Sequence, residues 1–200
     1  MKPEPSIAGI ILSGGASRRM GTPKALLRFE NETFLDRMIR LFADVCDPVI
    51  VVLGHNAGQI RSGIERASQA VFATNADPDR GMLSSLQCGL AEVPQSAEAV
   101  LFTPVDHPSL RSATIEKLAA DFRTHRAPVT IPTYQSRHGH PVCIARPPIA
   151  ELLALQATSQ ASEIIHRYRS ETVYVDVDDP GVTIDVDDPK AYAELVARHP

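Results

Sequence analysis

The chemistry in this chain starts at Leu12-Ser-Gly-Gly-Ala-Ser-Arg-Arg-Met-Gly-Thr-Pro-Lys24. Gly14 and Gly15 carry no Cβ, so the backbone can turn sharply and present its N–H groups to an anion. Ser17 adds a hydroxyl donor, and Arg18, Arg19 and Lys24 add fixed positive charge. Amide donors beside cations make a phosphate site. The spacing is neither the G-x-x-x-x-G-K-[ST] loop nor the G-x-G-x-x-G dinucleotide fingerprint. A glycine turn with solvated arginines is the plain alternative. The cations gathered behind a buried strand weigh against it.

Carboxylates stand at two further places. Asp106 follows the apolar run Leu101-Phe-Thr-Pro-Val. A carboxylate there can bind Mg²⁺, which keeps several waters and takes only one or two protein carboxylates. The competing reading is a turn-capping Asp before Pro108. His107 either packs or touches substrate. In Val182-Thr-Ile-Asp-Val-Asp-Asp-Pro189, Asp185 and Asp187 alternate and would share one strand face. Asp188 is placed to cap a helix opening at Pro189. Between Asn75 and Gly89, Gly81 permits close backbone approach, and Ser84 and Ser85 offer donors near a helix start. Arg137-His-Gly-His-Pro-Val142 carries His138 and His140 without a third ligand nearby, so zinc is disfavoured and a structural hairpin competes with a substrate role.

The elements that must position these groups alternate along the chain. Strands are predicted over Ser6–Ser13, Pro48–Leu53, Ala70–Thr74, Ala99–Thr103, Val129–Thr133, Val142–Ala145, Thr172–Val177 and Val182–Val186. Helices are predicted over Thr33–Ala43, Ala57–Ala67, Met82–Val93, Ile149–Leu155 and Ser162–Tyr168. Another begins at Ser112 as N-cap, with Glu116 as an early acid, and runs to about His125. A last helix opens at Pro189 and ends near His199. Continuous apolar strands separated by helices predict a mostly parallel sheet with helices on both faces. The expected fold is an α/β, Rossmann-like three-layer sandwich with an antiparallel edge, formed as one domain over residues 1–200. The glycine loop and Asp106 should meet at the C-terminal edge of its strands.

Composition narrows the function classes. Among 200 residues, 20 basic side chains face 24 acidic ones, for a net charge of −4. That balance gives no electrostatic reason to expect nucleic acid or an acidic membrane. No apolar run reaches membrane-spanning length, and the N-terminus lacks a secretory cleavage pattern, so a cytoplasmic protein is expected. Cys46, Cys88 and Cys143 form no CxxC pair and read as small buried hydrophobes.

Residues Leu12 to Leu27 meet every fixed position of L-x-[AG]-G-x-S-x-R-M-G-x-x-K-x-L-L, and in this the chain resembles the MobA-like NTP transferases. The resemblance covers nearly the whole chain. It implies transfer of a nucleoside monophosphate from an NTP to a phosphorylated acceptor, with release of pyrophosphate. It implies that Leu12, Ser13, Gly14, Gly15, Ser17 and Arg19 hold the nucleotide, and that Lys24 contacts the α-phosphate or the attacking phosphate. Asp106 in D-x-P would bind Mg²⁺. Asp187, in Asp187-Asp-Pro189, would complete that site as in the related D-T-P turn, with Asp185 the second candidate; Asp188 departs from that Thr. Gly81-Met-Leu-Ser-Ser-Leu86 is similar to the base-reading segment of the cytidylyltransferase branch, with Asn75, Gly81, Ser84 and Ser85 contacting nucleotide. Ser13-Gly14-Gly15 is closer to the guanylyltransferase form. CTP is favoured over GTP because the 81–86 stretch covers more positions. Arg137-x-Gly-His-Pro141 resembles an acceptor-side segment, so His107, Gly139 and His140 become acceptor candidates. Molybdopterin is the favoured acceptor, a sugar phosphate an alternative, and a molybdoenzyme or its chaperone a possible recipient. A noncatalytic cofactor-handover protein is the reading from another class. It would not need both carboxylates. A nicotinamide-dependent oxidoreductase lacks its fingerprint here.

Overall fold

A computed structural model describes residues 6–156 and 158–198. The strands are β1 (Ile7–Ser13), β2 (Arg28–Phe29), β3 (Glu32–Thr33), β4 (Val49–Leu53), β5 (Val71–Thr74), β6 (Ala99–Pro104), β7 (Val129–Tyr134), β8 (Arg137–His138), β9 (Val142–Ala145) and β10 (Thr172–Asp176). The helices are α1 (Phe34–Ala43), α2 (Ala57–Gly63), α3 (Met82–Ala91), α4 (Ser112–His125), α5 (Arg146–Ala154), α6 (Ala161–Arg167) and α7 (Pro189–Arg198). The main sheet runs β10-β7-β9-β6-β1-β4-β5, with β8 beside β7, and β2–β3 is a separate hairpin. β1 pairs in parallel with β4 and β6, β4 with β5, and β10 with β7. The antiparallel strand is β9, which sits inside the sheet between β6 and β7, while short β8 pairs antiparallel to the end of β7.

Every residue of β1 and β4 is buried, as strands covered on both faces require. One face packs Ile7, Ile11 and Val51 against Met38 and Phe42 of α1 and Phe122 of α4. The other packs Ile10, Leu12, Val52 and Phe102 against Leu86 of α3 and Leu152 of α5. Helix α1 forms because its apolar residues recur at helical spacing and Thr33 Oγ1 accepts from the Asp36 amide. Cys46 and Cys143 are buried, Cys88 is half-buried, and all are free thiols.

Three local expectations are corrected. Ser112 is not the N-cap of α4; that position is Arg111, whose side chain does not cap. The capping carboxylate is the buried Asp179, which accepts from the Arg111 amide (2.9 Å) and the Thr114 hydroxyl (2.6 Å). Glu116 therefore falls outside the first turn. Residues 182–186 are not a strand. Pro180–Thr183 forms a 3₁₀ turn because the Asp179 carboxylate accepts from the Gly181 amide, and the chain then runs irregularly to α7. Helix α2 stops at Gly63 rather than Ala67, since the Glu65 and Arg66 amides turn to the Asp36 carboxylate. The expected end of the last helix at His199 lies outside the described residues. Among the described residues, no helix is long and apolar enough to cross a membrane.

Candidate active site

At the C-terminal ends of β1 and β6 lies a cleft of about 500 Å³, lined by the glycine loop, Pro78–Asp79, Gly81–Met82, Ser85, Pro104–Asp106 and Asp187. Backbone geometry builds it. The chain turns at Ser17, which adopts φ 49°. Its carbonyl accepts from the Met20 and Gly21 amides. Its hydroxyl accepts from the Lys24 amide at 3.0 Å, which fixes where Lys24 starts. The Val105 amide donates to Leu12 O (3.0 Å), seating Asp106 beside the glycine loop. The Val186 amide donates to Asp106 O (2.9 Å), which brings Asp187 to the same place.

Lys24 Nζ lies 2.7 Å from Asp106 Oδ2 and 2.6 Å from Asp187 Oδ1. Arg19 reaches Asp187 Oδ2 at 3.3 Å. The Lys24 side chain is 14% exposed, Asp106 19% and Asp187 43%. Partial burial pulls the Lys24 ammonium toward neutrality, but its hydrogen bonds to Asp106 and Asp187 outweigh this and raise its pKa above the ordinary lysine value. The Lys24 hydrogen bond, assisted by Arg19, holds the Asp187 carboxyl below the usual carboxylate range. Positive charge from the first loop and negative charge from two distant segments thus converge.

The loop's floor is another backbone. An added Cβ at Gly54 would stand 2.6 Å from Gly14 O and 2.7 Å from the Pro78 Cβ. The His55 amide also donates to Gly14 O at 3.2 Å. On the facing wall, Asn75 lies behind the cleft lining. Its amide donates to Ser84 Oγ (2.9 Å) and Ser85 Oγ (3.1 Å). Ser84 donates in turn to Gly81 O (2.8 Å), so Asn75 and Ser84 shape the wall while Gly81 and Ser85 face the cleft.

Asp185 and Asp187 do not share a face. Asp185 is exposed and borders a separate hollow of about 390 Å³ with Ser109 and Arg111. Asp188 accepts from the Ala191 amide (2.9 Å) and caps α7. The acceptor candidates lie apart from the cleft lining. His107 is buried, with Nδ1 3.4 Å from Gly181 O. Gly139 passes so close to Val182 that an added Cβ would stand 2.0 Å from its carbonyl oxygen. His140 packs 5.1 Å from the His107 ring, and its Nδ1 is buried with no hydrogen-bond partner among the described residues. Burial, with His107 adding, pulls the His140 pKa down to about 4, so its ring is neutral at pH 7.

Sequence reasoning missed part of the rim. Asp79 takes a hydrogen bond from His55 Nε2 (3.1 Å) and lies 3.8 Å from Arg18, while Met82 is exposed at the mouth. Their place in the loop between β5 and α3 was the available signal.

The donor set can hold a hard divalent cation. Two carboxylates within reach of one ammonium supply only oxygen, and among the described residues no third acidic, His or Cys side chain joins them. Such a site suits an ion that fills its remaining positions with water and phosphate oxygens, not zinc.

Residues 9–173 match the MobA-like NTP transferase domain. The chain is 22% identical over 190 residues to the molybdenum cofactor cytidylyltransferase of Escherichia coli K12, covering 95% of each. It is 28% identical over 187 residues to a molybdenum cofactor guanylyltransferase of Burkholderia vietnamiensis, covering 88% of each. It is 31% identical over 164 residues to the nicotine blue oxidoreductase of Paenarthrobacter nicotinovorans, covering 75% of this chain and 78% of that one. The crystal structure of Rv0371c from Mycobacterium tuberculosis H37Rv superposes with TM-score 0.86 at 26% identity, covering 98% and 99% of the two chains. A manganese complex of the same protein superposes with TM-score 0.81 at 24% identity, covering 96% and 98%.

Proposed function

This chain belongs to the MobA-like NTP transferase family, and from that premise we propose that it moves a cytidylyl group from CTP to the terminal phosphate of molybdopterin. The observation that carries the reading is the Lys24 ammonium held between Asp106 and Asp187 at the mouth of the glycine loop. A phosphate oxygen of the acceptor attacks the α-phosphorus. A new P–O–P bond forms, the bond from the α-phosphorus to its bridging oxygen breaks, and pyrophosphate leaves. The attacking phosphate is already ionised near pH 7, so no strong base is required. Catalysis rests on alignment and charge neutralisation.

Each residue then has a task. The amides of Ser13 to Ser17 and the Arg19 guanidinium grip the β- and γ-phosphates, which depart together. Lys24 neutralises charge gathering on the α-phosphoryl oxygens. Asp106 and Asp187 are the groups that would hold Mg²⁺, which when bound screens the phosphates from one another. The manganese complex of Rv0371c supports a divalent ion in this fold. The wall at Gly81 and Ser85, backed by Asn75 and Ser84, faces the base. Ser13-Gly14-Gly15 and the guanylyltransferase relative favour GTP as the second reading.

Pyrophosphate release, measured with each NTP against molybdopterin and against sugar phosphates in Mg²⁺ buffer, tests the reading. Release with CTP and molybdopterin is expected. Release with GTP alone would reassign the base, and tight nucleotide binding without turnover would favour a carrier. An NADH-oxidation arm tests the nicotinamide-dependent alternative.

A further inference from the structure

The same sheet edge carries an aromatic pair that the cleft does not use. The rings of His138 and Tyr174 stack at 4.6 Å with their planes 21° apart. Both residues are exposed, Tyr174 to 42%. Register places them on one face. Tyr174 lies beside Ile131, and His138 beside Thr133. Ile131 packs in the core cluster that also holds Leu12 and Phe102. Leu12 in turn pairs with Pro104, and both line the cleft. On this face Leu12 and Pro104 at the cleft, Phe102 and Ile131 one register step behind them, and the His138–Tyr174 pair beyond belong to one layer of side chains, with His140 against Phe102. Its middle is apolar and uncharged, because His140 packs edge-on against Phe102 at 6.2 Å and stays neutral.

The sheet supplies a ruler. From β6, which leads into Asp106, to β10, which carries Tyr174, there are three strand-to-strand steps. At ~4.8 Å each these span about 14 Å. That is the lateral offset; along the strands Tyr174 is level with Phe102 and His138 with Pro104, four and two residues before Asp106, so the ring face lies roughly 15 Å from the phosphate-transfer point.

We propose that the Tyr174–His138 pair is a stacking platform for a flat conjugated ring on the acceptor, and that it selects acceptors whose ring and terminal phosphate are separated by this span. The proposal rests on the transferase reading and deepens it. An exposed π-face at a fixed distance from a phosphate site recognises a planar heterocycle by stacking. A sugar phosphate presents no such ring at that reach.

Steady-state pyrophosphate release with molybdopterin, CTP and Mg²⁺ tests it in the full chain. Tyr174→Ala should raise the KM for molybdopterin about tenfold, the loss expected for one stacked ring. The KM for CTP should stay within about twofold, and Tyr174→Phe should restore the wild-type KM, since stacking needs the ring and not the hydroxyl. If Tyr174→Ala fails to fold by circular dichroism, His138→Ala reads the same interaction. A second readout needs no turnover: the fluorescence of free pterin should be quenched by wild-type protein and not by Tyr174→Ala. An unchanged molybdopterin KM, or equal quenching by both proteins, overturns the platform. Quenching that depends on Tyr174 in a protein that releases no pyrophosphate would uphold the platform and defeat the transferase reading instead.

Discussion

Replacing Lys24 with Met keeps an unbranched apolar stem and removes the ammonium. That group makes two charge-assisted hydrogen bonds, at 2.7 and 2.6 Å. Such bonds contribute about 1.5–3 kcal/mol when buried. The Asp106 bond, with both side chains under a fifth exposed, belongs near the lower end of that range. Asp187 is 43% exposed, so its bond is screened to about 0.2–1 kcal/mol. Together they stabilise the fold by roughly 2 kcal/mol, and the new methyl group recovers part of that. The expected fall in Tm is about 3–6 °C, so the variant stays folded at 25 °C. The effect on turnover is larger. A preorganised donor at developing charge contributes about 3–4 kcal/mol, which is about 10²–10³-fold in rate. Pyrophosphate release at saturating CTP, run beside a thermal melt, separates the two effects. Turnover within threefold of wild type, in a protein melting near the wild-type temperature, would refute the role given to Lys24.

Four further outcomes are expected. Asp106→Asn should lower turnover by at least about tenfold and lower Tm by no more than the few degrees expected for Lys24→Met, since the Asn carbonyl still accepts from Lys24, checked by pyrophosphate release and calorimetry. Asp187 has a depressed pKa, so its contribution to stability is complete above the usual carboxylate value of 3.8 and fades as pH falls through the lower folded value. Lys24 has a raised pKa, so its contribution is complete below 10.5 and fades as pH climbs through the higher folded value. Carboxyl NMR should show Asp187 titrating at higher pH in Lys24→Met than in wild type, and an unchanged midpoint would count against the ion pair. His140 has a folded pKa of about 4 against an ordinary 6.5, so stability should decline as pH drops through that window, and His140→Gln should flatten the decline in a Tm-against-pH series. Gly139→Ala forces a Cβ to within 2.0 Å of Val182 O, so it should destabilise by several kcal/mol; a melt equal to wild type would refute that packing.

The parts of the site legible in the sequence were those written locally. The glycine loop, its cations and Asp106 each follow an apolar run that is buried in the fold, and open α/β sheets bring such strand ends together. Asp187 was legible as a candidate, but the alternation of Val182, Ile184 and Val186 also mimicked a strand. What broke that pattern is a side chain binding its own backbone, Asp179 to Gly181. The cap on α4 was invisible for a related reason. The Thr114 hydroxyl donates to Asp179, 65 positions away, and local capping rules cannot see such a partner. The rim formed by Asp79 and His55 depends on the facing of two loops from separate strands, which no spacing encodes.

The contact between Gly54 and Gly14 has a consequence for how such a site can diversify. The loop proposed to receive the phosphates rests on main chain at Gly54 and is closed in by the Ser85 and Pro78 side chains beside Gly14. Its contour is therefore set by Gly54, Pro78 and Ser85, and substitutions elsewhere around the mouth leave it undisturbed. On the proposed reading, base and acceptor preference can drift at Met82, Asp79 or Tyr174 while the grip on the triphosphate stays constant. A bulkier residue at Gly54, which makes no ligand contact of its own, would lift the cradle and weaken every nucleotide alike.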